Sequence, residues 1–326
     1  MDTNGDWAFP EELQPHGAEL AYDLAAALAA AVLLRADVPE DAFTAGVLGT
    51  ERIGNGVVIR HGDQDLVLTV GYLVTEATSI WLTTHDGRAV PAHLVACDTE
   101  SGLGLVQPLG PLGVPALTCG SAAGLTVGSP VTVVGHGGAA HSVQARVIAR
   151  REFAGYWEYL IDAAIFTAPP HPLWGGTALV DALGRVVGIG SLLTQAVHED
   201  ETFDANMYVP VDLLLPVIGE LVRCGRRAAP ARPWLGVYLG ERGGRVVVAE
   251  VVEGSPAQRA GLRPGDALLM VAGRRVATLA EFLRAVWAQG GAGVEVPLTL
   301  VRERSRRHLR LRSVDRESLL RRPSRH

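Results

Sequence analysis

Residues 46–190 constrain this chain most, because their apolar side chains come in short runs and not in helical stripes. The runs at 56–59, 66–70, 80–84, 131–134, 143–148 and 186–189 are rich in β-branched residues and punctuated by Gly, Pro and Asp-Gly. Branching at Cβ restricts χ1 in a helix and packs well on a pleated surface. Gly, Pro and Asp supply the turns between such runs. Many short strands at close spacing predict a β-barrel or sandwich. Two flanking segments read as helical. The Ala-rich stretch 18–30 predicts a helix running into a strand. The segment P-V-D-L-L-L-P-V-I-G-E-L-V from Pro210 has helical spacing and closes the domain.

A polar, Pro-containing linker, R-R-A-A-P-A-R-P from Arg226, then leads into a smaller unit. It opens on W-L-G-V from Trp234, continues with a strand at 245–252, and carries G-S-P-A-Q-R-A-G-L-R-P-G-D at 254–266. A helix at 279–289 sets Leu279, Leu283 and Val286 on one face, and strands at 296–301 and 308–312 complete an α+β unit.

A chain of 326 residues is long enough for two or three domains. Its net charge of -6 is unevenly placed: ten Arg stand against three acids from Arg302 onward, and every basic residue is Arg. Cys97, Cys119 and Cys224 are far apart, odd in number and in no metal-ligand spacing, which predicts free thiols. The acidic start M-D-T-N-G-D lacks the basic beginning of a secretory signal, and the apolar run at 24–34 has about half of the ~20 residues that span a bilayer. The expectation is a cytoplasmic protein without a membrane span. The alternative is a periplasmic one, should a longer start encode a signal.

The motif at 254–266 resembles the loop and short helix of PDZ domains attached to bacterial HtrA/DegP-type proteases. The resemblance runs over 46–313 and includes D-A-A-I at Asp162, G-R-V-V-G-I-G-S at Gly184 and Y-V-P-V-D-L-L at Tyr208. It implies a mainly β protein: a trypsin-like double β-barrel with an N-terminal helix, plus a C-terminal α+β PDZ domain. The implied boundaries are an N-terminal helical segment 1–45, a protease-like domain 46–225, a linker 226–233, a PDZ domain 234–315 and a basic tail 316–326. In such PDZ domains the loop opening on Trp234 captures a peptide's terminal carboxylate on backbone N–H groups, and the peptide adds as a strand. Carried over, Leu235, Gly236 and Val237 meet the carboxylate and main chain, while Leu279, Leu283 and Val286 face the peptide.

The same resemblance exposes what the barrel lacks. V-L-T-V-G-Y-L-V from Val67 is similar to the segment carrying the catalytic histidine, and its slot holds Tyr72. D-T-E-S-G-L-G-L from Asp98 is similar to the aspartate segment, and its slot holds Gly102. P-L-W-G-G-T-A-L from Pro172 is similar to the nucleophile loop, and the serine slot holds Trp174. Acyl transfer needs a nucleophile, a base near neutral pKa, an orienting carboxylate and oxyanion donors. A phenol with pKa near 10 is no base at pH 7. Trp174 has no nucleophilic atom, Gly102 has no side chain, and Pro172, at the distal oxyanion donor, has no N–H. The expectation is a catalytically inactive homologue, a scaffold or regulator that binds peptides or protein C-termini, with the three substituted positions filling the old cleft. The alternative is an active serine endopeptidase of protein quality control.

Other readings are weaker. His171 is expected as a solvated loop residue. Thr177 lies past the point where the nucleophile turn presents its side chain, and the family places Ser191 on the wall of the specificity pocket. V-T-V-V-G-H-G-G-A-A from Val131 has the glycine pattern of a dinucleotide fingerprint, but H-S-V-Q-A-R-V-I-A follows it as a strand where that site needs a helix. His136 and His141 lack partners for a metal site, so neither cofactor nor metal is expected. The Arg-rich end lacks interleaved aromatics and reads as a solvated hairpin and frayed tail, not a nucleic-acid surface. Trp7 and Phe9 are candidates for the aromatic contacts through which family members form trimers.

Overall fold

Six strands, β1 (Ala31–Asp37), β2 (Glu51–His61), β3 (Gln64–Val70), β4 (Ser79–Thr83), β5 (Ala89–Asp98) and β6 (Leu103–Pro108), close into a barrel in the order β1-β2-β3-β6-β5-β4. The first apolar runs are buried in it: Val58, Leu66, Leu68 and Leu82 are all fully buried. A computed structural model describes residues 7–198 and 201–321 of the chain. A second barrel follows, built from β7 (Pro130–Val134), β8 (Ser142–Gly155), β9 (Tyr159–Ala168), β10 (Ala178–Val180), β11 (Val186–His198) and β12 (Glu201–Pro210), in the order β10-β11-β12-β9-β8-β7. Its core gathers Val133, Val143, Ile165, Leu179, Val187 and Tyr208.

The N-terminal helix is shorter than the sequence predicts. Helix α1 spans Leu24–Ala29 only, because the Asp23 side chain caps it by accepting from Ala26 N–H at 3.0 Å. Residues ahead of the cap follow the barrel, with the Tyr22 hydroxyl donating to Thr132 Oγ1 at 2.8 Å. The strand that follows, β1, pairs with both β2 and β4 and so closes the first barrel from within the expected N-terminal segment. A short helix α2 (Ala45–Leu48) precedes β2, and α3 (Ile218–Cys224) ends on left-handed Gly225 after β12.

The remaining strands, β13 (Val237–Arg242), β14 (Arg245–Val251), β15 (Ala267–Val271), β16 (Arg274–Arg275), β17 (Glu295–Arg302) and β18 (Ser305–Arg312), form one sheet with α4 (Pro256–Arg259) and α5 (Leu279–Trp287). The 254–266 motif builds α4: Ser255 caps it by accepting from Gln258 N–H, and Pro256 takes the first turn, where no N–H is needed. Thr278 caps α5 in the same way, accepting from Glu281 N–H. The α5 face predicted at Leu279, Leu283 and Val286 is buried.

The chain divides into two compact units: residues 1–151, 163–226 and 321–326 in one, 152–162 and 227–320 in the other. The tip of the β8–β9 hairpin thus groups with the smaller unit. The expected basic tail is partly anchored. In the larger unit Arg321 N–H donates to Glu76 Oε1 at 2.9 Å and its guanidinium pairs with Asp41, because the buried Glu76 carboxylate, also held by Phe43 and Thr44, has room for another donor. Residues 322–326 lie outside the described residues. Leu68 lies fully buried in the first barrel. Leu68→Ala is expected to cost about 2–5 kcal/mol from lost burial and a cavity, seen as a lower urea midpoint for loss of the barrel signal.

Candidate functional site

The three slots singled out in the sequence lie on three loops of the barrel unit. Tyr72 sits in a 3-10 turn, Gly71–Leu73, directly after β3. Gly71 N–H donates to Gly102 O at 2.7 Å, which fastens the first slot's turn to the second slot's loop. That loop is folded on Asp98, whose carboxylate accepts from Ser101 N–H at 3.1 Å and from the Ser101 hydroxyl. Gly102 N–H donates to Asp98 O at 2.7 Å, and Gly102 holds φ +75°. Glycine reaches that left-handed region without strain, whereas most residues with a Cβ do not.

The third loop is pinned through its carbonyls. Asn55 donates its Nδ2 to Leu173 O at 2.8 Å and its N–H to Gly175 O at 2.7 Å. Trp174 O accepts from Thr177 N–H at 3.1 Å and Thr177 Oγ1 at 2.8 Å. Gly176 has φ +78°, and a Cβ there would lie 1.8 Å from Asn55 O. Only glycine fits.

Tyr72 bridges to this loop. Its hydroxyl donates to Ser191 O at 3.0 Å and lies 2.9 Å from where a Gly175 Cβ would stand. Burial pushes the Tyr72 phenol well above its ordinary value, partly offset by a hydrogen bond with Trp174. A phenol held protonated and committed to a carbonyl takes no proton from a nucleophile. Ser191 and Thr177 are both buried, and Thr177 Oγ1 is spent on Trp174 O. Pro172 offers no N–H, and the N–H of Leu173 is donated to His171 Nδ1 at 3.1 Å.

His171 corrects the sequence reading: it is buried, 1% exposed, not solvated. Its N–H donates to Asn206 Oδ1 at 2.6 Å, and Nδ1 accepts from Leu173, so the ring proton sits on Nε2, 2.9 Å from His141 O. Burial lowers its pKa to about 4. Trp7 and Phe9 set their rings edge-on to His171, with centroids 5.4 Å away. A neighbouring apolar pair explains the burial, which a single histidine in a Pro-rich loop does not announce. The strand–turn–strand at 130–155 carries no helix long enough for a dinucleotide site. Among the described residues no group of three or more His, Cys, Asp or Glu is arranged to hold a metal.

In the smaller unit, the loop opening on the buried Trp234 aims three N–H groups at one point. Leu235 donates at 3.0 Å, Gly236 at 2.7 Å and Val237 at 3.1 Å, all to the carboxylate of Glu158. Burial pushes the Glu158 carboxyl up, opposed by these three donors and by Arg316. Two residues before it, Tyr156 O accepts from Leu239 N–H of β13 at 2.9 Å. Two residues after it, Leu160 joins the apolar cluster of Leu235, Val237, Leu279, Leu283 and Val286. The sequence points to the three donors but not to Glu158. The only signal was the run Y-W-E-Y at Tyr156, an acid set among aromatics in a hairpin turn.

Comparison with known proteins agrees with this layout. Residues 54–189 match the trypsin-like peptidase domain family, and residues 233–312 match the PDZ domain family. A protein of Hahella chejuensis named probable periplasmic serine endoprotease DegP-like is 27% identical over 243 residues, covering 70% of this chain and 50% of that one. The serine protease Do-like HtrA of Bacillus subtilis is 24% identical over 280 residues, covering 76% and 60%. The chain thus spans little more than half the length of the curated relatives it matches. Among solved structures, the HtrA-type protease AlgW with decapeptide superposes with TM-score 0.54 at 22% identity, covering 93% of this chain and 100% of that one. The serine endoprotease from Yersinia pestis gives TM-score 0.54 at 21% identity, covering 91% and 99%. At these identities the likeness shows the fold.

His171 yields a pH prediction. In the unfolded chain it titrates near 6.5, and in the fold near 4. Between those values the unfolded state binds the extra proton, so stability present above pH 6.5 is lost as pH falls toward 4, by up to about 3 kcal/mol. His171→Gln is expected to flatten that part of the profile, read as urea midpoints of both proteins at pH 7, 5.5 and 4.5.

Proposed function

From its membership of the HtrA-like family, with a trypsin-like peptidase domain followed by a PDZ domain, we propose that this chain binds peptides or protein C-termini without cleaving them. The observation that carries the reading is Tyr72. It occupies the base position with a proton it cannot give up at neutral pH, and its hydroxyl caps the carbonyl of Ser191. Trp174 and Gly102 remove the nucleophile and the orienting carboxylate, and Pro172 removes an oxyanion donor. In a well-studied serine protease, loss of the nucleophile costs on the order of 10⁶ in rate and loss of one oxyanion donor about 10²–10³.

The carboxylate-binding loop 234–237 and the α5 face at Leu279, Leu283 and Val286 support peptide recognition by strand addition. The role that follows is that of a scaffold or regulator, and assembly into homo-oligomers belongs to the same proposal. No helix among the described residues is long and apolar enough to cross a membrane. Curated relatives are named periplasmic, which supports the periplasmic alternative and leaves the cytoplasmic expectation without support.

A second reading, an active serine endopeptidase, is favoured by the names of those relatives, which are serine endoproteases. It requires a nucleophile elsewhere in the barrel unit. Incubation of the purified chain with unfolded casein and a fluorophosphonate probe, beside an active relative, separates the two. No labelling and casein turnover at least about 10⁵-fold below the relative is the expected result. Stoichiometric labelling of any serine or threonine would establish the second reading.

A further inference from the structure

The groove that the proposed function assigns to external peptides already holds a piece of this chain. We propose that the hairpin tip 156–160 is its resident ligand, with the Glu158 side chain standing where a bound peptide's terminal carboxylate would, so that an external C-terminus binds only by displacing it. This rests on the peptide-binding reading of the same groove and adds its occupant.

Four hydrogen bonds reproduce both halves of peptide capture by strand addition. Three backbone N–H groups, from Leu235, Gly236 and Val237, converge on one carboxylate at 2.7–3.1 Å. A fourth, Leu239 N–H to Tyr156 O, joins the hairpin's main chain to the edge of β13. Backbone nests that capture a carboxylate, and strand edges that capture a main chain, are recurrent modes of peptide recognition. Here one segment satisfies both at once. Edge strands left open are also sites of unwanted pairing, which the hairpin prevents at β13.

The side chains around Glu158 anchor it from both flanks. Tyr156 meets Tyr238 of β13 with ring centroids 5.8 Å apart, and Trp157 stacks on Tyr159 at 5.6 Å. Leu160 is buried in the apolar cluster that includes Leu283 and Val286 of α5, the residues assigned to the peptide's side chain. Arg284, on the same helix, pairs with Glu152 at 2.6 Å and with Asp162, so both strands of the hairpin are tied to α5. Glu158 itself has φ +62°, a conformation that a residue with a Cβ adopts only at a cost.

Because the ligand is tethered, it competes at an effective concentration in the millimolar range typical of short connections. The apparent dissociation constant of an external peptide is the intrinsic constant divided by the open fraction. The test uses the full chain and a fluorescein-labelled peptide ending in Tyr-Trp-Leu with a free α-carboxylate, read by anisotropy. Glu158→Gly, which removes the carboxylate and suits the positive φ, is expected to bind the peptide at least about tenfold more tightly than the wild type. Glu158→Gln, which keeps the shape and one acceptor, is expected to fall between. Amide hydrogen exchange at Leu235, Gly236 and Val237 is expected to accelerate in both variants without peptide. Equal affinity in all three proteins would overturn the proposal. If none binds the peptide, exchange decides: faster exchange in the variants upholds the internal ligand and sinks the external-peptide reading, and unchanged exchange sinks the internal ligand.

Discussion

Asn55 is the joint on which the barrel unit depends. It lies on β2 of the first barrel, 5% exposed, and uses every polar group it has. Its N–H and Nδ2 hold Gly175 O and Leu173 O of the second barrel's loop, its Oδ1 accepts from His136 N–H at 2.9 Å, and its own carbonyl accepts from Thr69 Oγ1 at 2.6 Å. A buried amide satisfied at both ends is inexpensive, while one left unpaired costs about 1–3 kcal/mol per group. The joint therefore sets the two barrels and the 171–177 loop in one arrangement, and with them the distance from Tyr72 to Trp174.

That arrangement shows how scaffold and chemistry separate. The loop that would carry a nucleophile is held by main-chain bonds, and none of them needs a serine at 174. Gly176 is required by its approach to Asn55 O and by φ, not by catalysis. Backbone bonds place such a loop, whereas side chains alone supply base, nucleophile and orienting charge, so placement and chemistry are encoded separately. Tyr72 adds a hydrogen bond of its own between this region and Ser191 O.

The smaller unit follows a similar rule with a different outcome. A nest of three N–H groups in a buried setting stabilises itself by finding an acceptor, since unpaired donors are costly there. Glu158 provides one from within the chain, and hydrogen bonds from all three donors offset part of its desolvation.

Much of this was legible in the residues. Short β-branched runs between turn residues specified the barrels, the capped motif at 254–266 specified the helix and loop of the smaller unit, and 3.6-residue spacing placed Leu279, Leu283 and Val286 on a buried face, because these signals are local and periodic. The identities at 72, 102 and 174 are likewise read directly from sequence and are the same in any fold. Other features were decided only in three dimensions. Burial of His171 depends on Trp7 and Phe9, more than 160 residues earlier in the chain. The full length of α1 was overruled by a cap at Asp23, and Arg321 found its acceptor at Glu76 across 245 positions. Above all, the sequence by itself determined a loop able to hold a carboxylate, but which carboxylate it holds was settled by tertiary structure. Glu158 and Gly236 are 78 residues apart, and no local periodicity encodes the meeting of a hairpin tip with a distant nest.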